Sequence, residues 1–134
     1  MPDPQRGLIY TMVLVSAVEK NLAESELQMI GDIVGHLPAF RDFDRHALPG
    51  LLSDCTELLG GNDGLDKTLG AIKAALPAKM RETAYAIACD LVAADGEATQ
   101  EELQILELIR HRLNIERLVA AAIERGARAR FQTV

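Results

Sequence analysis

Residues Arg81–Ile115, RETAYAIACDLVAADGEATQEELQILELIRHRLNI, carry the pattern that decides the fold. With Met80 just before them, Ala84, Ile87, Leu91 and Ala94 recur at intervals of three and four, the spacing that puts side chains on one face of an α-helix. Asp95-Gly96 ends that run, because aspartate bonds nearby backbone in turns and glycine takes the positive φ that closes a helix. Thr99 with Glu102 three residues on is a capping box, and Leu103, Leu106, Ile109 and Leu113 follow at helical spacing. The segment therefore reads as helix, short acidic turn, helix.

Outward from it the chain repeats this grammar. Gly7 to Val18 (GLIYTMVLVSAV) is apolar almost all round, as a helix is when neighbours cover every side, and is expected at the centre. Leu27, Ile30, Val34 and Leu37 form a second stripe, with acids early in the run and Pro38 just past its end. After the charged connector Arg41–Arg45, a stripe from Leu48 to Leu59 ends at Gly60-Gly61, with Pro49 confined to its first turn. The turn Asn62-Asp63-Gly64 opens the stripe Leu65, Leu69, Ile72, Leu76, which Pro77 stops. Asn114 is expected to cap a last helix carrying Leu118, Val119, Ala122 and Ile123, with Gly126 beginning its exit and ARARFQTV frayed.

Composition agrees: 19 alanines and 19 leucines against 4% aromatics favour helices over pleated sheets. At 134 residues the chain suits one domain, all-α, of about seven helices. Its parts are a first hairpin at about 7–37, inserted helices at about 44–76, a second hairpin at about 78–113, and a C-terminal helix and tail at about 115–134.

A shift of 76 residues lays Ala17–Ile33 over Ala93–Ile109, matching Ala17/Ala93, Glu26/Glu102, Leu27/Leu103, Gln28/Gln104 and Ile33/Ile109, with Glu19 on Asp95. Two pseudo-symmetric hairpins around the Gly7–Val18 helix are the expected arrangement. The small-residue helix ending Ala93-Ala94-Asp95-Gly96, then Thr99, then Glu102 opening an amphipathic helix resembles the signature of TerB-like tellurite-resistance proteins. That fold is also similar to the amino-terminal domain of a membrane-anchored DnaJ-type co-chaperone. The resemblance covers about half the chain. It implies an all-helical, TerB-like domain, divalent-cation binding by acids of both hairpins, and a role in stress or tellurite response through protein partners. In the first hairpin Glu19-Lys20-Asn21 replaces the aspartate-glycine turn, and Ala23 replaces the capping hydroxyl.

The acids also have a reading of their own. Asp90 and Asp95 lie toward the C-terminal end of one helix and Glu19 at that of another, facing the negative end of the macrodipole at roughly 0.3 to 1 kcal/mol each. A bound cation would reverse that sign, since hard divalent ions take carboxylate oxygens. The candidate ligands are Asp95, Glu97 and Glu102, with Glu19, Glu26 and Asp90 contributing, for calcium, magnesium or manganese. The competing reading makes Asp95-Gly96 turn chemistry and Glu102 a capping glutamate.

Other patterns exclude more than they suggest. A net charge of −6 disfavours nucleic acid, which is bound through clustered positive charge. Cys55 and Cys89 sit in apolar runs as core residues, not as a disulfide framework. His36, His46 and His111 lack zinc-ligand spacing, and no nucleophile elbow or glycine-rich phosphate loop occurs, so the chain is expected not to be an enzyme. MPDPQRG lacks the basic region of a signal peptide, and the longest near-apolar run cannot span a bilayer, so a cytoplasmic protein without an integral membrane segment is expected. After Ile109 the charge turns basic; Arg128 and Arg130 with Phe131 are candidates for contact with a protein partner or a second copy in a homodimer. The functional expectation is a non-enzymatic, stress-type module that binds a divalent cation weakly and docks partners. The alternative is a scaffolding domain whose contacts come from the arginine-rich end.

Overall fold

In the computed structural model, which describes residues 3–17, 24–94, 96 and 98–134, helices account for the secondary structure and no strand occurs among the described residues. The α-helices are α1 (Pro4–Ala17), α2 (Glu24–His36), α3 (Leu48–Gly60), α4 (Gly64–Ala75), α5 (Ala78–Ala94), α6 (Gln100–Arg112) and α7 (Arg117–Arg130). Short 3-10 turns at Pro38–Phe40 and Arg45–Ala47 flank the charged connector.

The nearly uniform apolar sequence of α1 is answered by its surroundings. Every residue from Gly7 to Val15 is buried, and α3, α4 and α5 supply most of the cover. Leu8, Ile9, Met12 and Val13 are wholly enclosed; each such side chain contributes about 1.5 to 3 kcal/mol of transfer free energy. Thr11 lies in the same dry interior and its hydroxyl donates to the Gly7 carbonyl at 2.8 Å, so its polar atom is satisfied. Gly7 lets α4 approach, because a Cβ there would stand 2.9 Å from Leu76 Cδ2.

The turn from α3 to α4 is tight for a related reason. Asp63 holds φ +53°, and the next residue, Gly64, rests on the α3 backbone, where a Cβ would come within 2.0 Å of the Leu59 carbonyl oxygen. Helix α2 is shallower: it buries Ile30 and Val34, while Arg45 reaches across to donate to the Gly31 carbonyl at 3.3 Å. Under the 76-residue shift Ile30 overlies Leu106 and Met29 overlies Ile105, yet α6 sinks Glu102, Ile105, Leu106 and Ile109 into the protein. The turn joining α1 to α2, with Glu19, lies outside the described residues.

The C-terminal region departs from expectation. Asn114 does not cap the last helix; it takes φ +55° and ends α6, and Glu116 occupies the N-cap of α7. Gly126 does not begin the exit, and ARAR is not frayed, since α7 continues to Arg130. Burial of Ala120 and Ala127 against the rest of the protein holds that helix through the glycine. Of the expected inner stripe Val119 and Ile123 pack against the core, whereas Leu118 is 75% exposed because the inner face turns through Ala120 and Ala127. Both cysteines are free and buried, as their apolar runs implied.

Candidate functional site: a groove over helix α5

Helices α6 and α7 each pack on α5 and hardly on one another, which leaves a cleft of about 550 Å³ between them. Its floor is a row on α5, Tyr85, Cys89 and Val92, spaced four and three residues apart so that they share one face. Leu103, Leu106 and Glu107 of α6 form one wall; Glu124, Ala127 and Arg128 of α7 form the other. Phe131, just past α7, and Gly96, just past α5 with φ +89°, complete the lining.

The polar atoms at the base are few and engaged. The Tyr85 hydroxyl, 2% exposed as a residue, donates to Glu124 Oε2 at 2.5 Å. Burial, reinforced by that hydrogen bond, pushes the Tyr85 hydroxyl far above its ordinary pKa, so it remains a donor at neutral pH. Burial likewise pushes the Cys89 thiol up to about 12, which leaves an apolar floor and withholds the thiolate that nucleophilic chemistry requires. On the rim Glu107 accepts from Arg110 Nε at 3.0 Å, and that bond holds its carboxyl below the usual range.

Several residues expected to act have structural partners here. Asp90, considered as a cation ligand, accepts a hydrogen bond from Arg130, considered as a partner contact. Glu102 is 6% exposed; its Oε1 accepts from Thr99 N at 2.9 Å while its own N–H donates to the Thr99 hydroxyl at 3.1 Å. The capping box is thus complete on both sides. Glu26 stands half-buried on α2. Asp95 and Glu97 lie outside the described residues, and among the described residues no group of three His, Cys, Asp or Glu side chains could hold a metal ion. Arg128 and Phe131, by contrast, both line the groove, as does Gly96. Gly96 and the arginine-rich end, which the sequence offers separately, line the same groove.

Tyr85 and Glu124 escaped the sequence reading. The available signals were a lone large aromatic among Ala84, Ala86 and Ala88, and an acid among the alanines of the last helix. Among the described residues no helix is long and apolar enough to cross a membrane. Comparison with protein-family models, curated proteins and solved structures finds no match in any of the three.

Proposed function

We propose that the chain is a non-catalytic helical module that recruits a protein partner at the groove between α6 and α7. The observation that carries this reading is the solvent-facing apolar lining: Leu103 is 49% exposed and Phe131 37% exposed at the edges of one concave site. Large side chains left open on a concave surface mark sites of association. The resemblance of Arg81–Ile115 to TerB-like proteins supports the same reading and extends it to a stress or tellurite response. Docking of this kind needs no ion, since Asp90 and Glu102 have structural partners. A cation at the turn 95–97 would be an addition to it, detected as saturable heat with calcium, magnesium or manganese that Asp95→Asn removes.

The test is site-directed photocrosslinking in cells. A benzophenone amino acid at position 103 or 131 is expected to capture one discrete partner, and the same group at Leu65, exposed on α4, is expected not to. Leu103→Glu should abolish capture from position 131. Equal capture from all three positions would overturn the reading.

A further inference from the structure

The groove has a shape and a charge that narrow its occupant, on the reading above that it docks a partner. We infer that the occupant is an amphipathic helix of a partner protein, which lays apolar side chains along Val92, Leu103, Leu106 and Phe131 and sets one lysine or arginine against Glu124.

The shape follows from the walls. Helices α6 and α7 both rest on α5, and the groove between them is lined along α5 by Tyr85, Cys89 and Val92 for about two helical turns, roughly 10 Å. An amphipathic helix fills such a trough with side chains at positions i, i+3 or i+4, and i+7.

The charge is set by which carboxylates already have cations. Glu107 is matched by Arg110, and Asp90 by Arg130. Glu124 lines the groove with Tyr85, a neutral donor, as its hydrogen-bond partner. A carboxylate offers about four lone-pair positions, so one bond from Tyr85 leaves room for an ammonium or guanidinium. Tyr85 also fixes the carboxylate in place before any partner arrives, and that preorganisation reduces the ordering cost of binding. One turn further along α7, Arg128 lines the same wall and makes no ion pair among the described residues. It repels a cation placed there, so the partner's lysine belongs at the Glu124 end. The formal net charge of −6 favours encounter with basic segments.

The test is fluorescence anisotropy with three labelled helical peptides of leucine and alanine, about four turns long, carrying a central lysine, norleucine or glutamate. The full chain is expected to bind the lysine peptide about fivefold more tightly than the norleucine peptide, the scale of a partly exposed ion pair, and the glutamate peptide most weakly. Glu124→Gln keeps an acceptor for Tyr85 and should bring the lysine and norleucine peptides to the same affinity. Leu103→Glu should weaken all three. If wild type does not prefer lysine, or the preference survives Glu124→Gln, the ion-pair inference falls while groove docking stands. If no peptide saturates, or Leu103→Glu changes nothing, groove docking itself falls. Self-association of the free protein that Leu103→Glu abolishes would assign the groove to a second copy and overturn the inference.

Discussion

Arg130, in the last turn of α7, donates to the carboxylate of Asp90 on α5, an ion pair between residues forty positions apart. It ties the C-terminal end of α7 to the helix beneath it. The side chains are 55% and 29% exposed, so water and salt screen the pair. A double-mutant cycle with Asp90→Ala and Arg130→Ala should give a coupling of about 0.5 kcal/mol in urea unfolding. The coupling should vanish at high salt; a value unchanged by salt would contradict the exposed geometry.

Tyr85→Phe should be more costly. It removes the one hydroxyl that satisfies Glu124 at the base of the groove while leaving the ring's packing intact. The expected loss is about 1.5 to 3 kcal/mol, the range for a hydrogen bond to a charged group. Glu124→Gln, which still accepts from the hydroxyl, should lose less. Equal losses in the two variants would show that the hydrogen bond is not the source.

Stability should fall on the alkaline side. Burial pushes the thiols of Cys55 and Cys89 up to about 12 and raises the Tyr85 hydroxyl as well. In the unfolded chain thiols ionise near about 8.5 and tyrosine near about 10. Above those values the folded state holds protons that the unfolded state has released, so stability declines as pH rises. It should be constant from neutrality to about pH 8.5 and then fall toward pH 12, as read from urea midpoints. The slope above pH 8.5 should be shallower in Cys55→Ala than in wild type, and native protein at pH 8 should resist thiol-specific reagents.

Two glycine-to-alanine substitutions should have opposite signs. At Gly64 the new methyl would meet the Leu59 carbonyl oxygen at 2.0 Å, a backbone atom that cannot swing aside, so α3 and α4 must separate. The expected cost is about 3 kcal/mol or more. At Gly50, exposed on α3, nothing lies within 4 Å, and alanine should add about 0.5 to 1 kcal/mol through helix propensity. Thermal unfolding of the two variants distinguishes them directly.

Most helices were legible because each stripe and its punctuation occupy neighbouring residues. Thr99 and Glu102 show this best: both halves of the capping box lie within one turn, and both hydrogen bonds form. The last helix was less legible because its length depends on a distant surface. Gly126 costs about 1 kcal/mol in a helix interior, and only the packing of α7 on α5 outweighs that. The groove was illegible for the same reason, since Tyr85 and Glu124 are 39 positions apart and neither carries a local motif. Nothing in the spacing of Asp90 and Arg130 announces that one takes up the other.

The burial of Gly7–Val15 on α1 also bears on how the protein is made. The helix that becomes the core's axis ends at Ala17, and α5, one of the helices that cover it, ends only at Ala94. During synthesis, at about 5 to 20 residues per second, some 80 residues must follow α1 before that cover exists. For several seconds the nascent chain presents Leu8, Ile9, Met12 and Val13 uncovered by α5, a stretch that invites chaperones or aggregation until the later helices emerge.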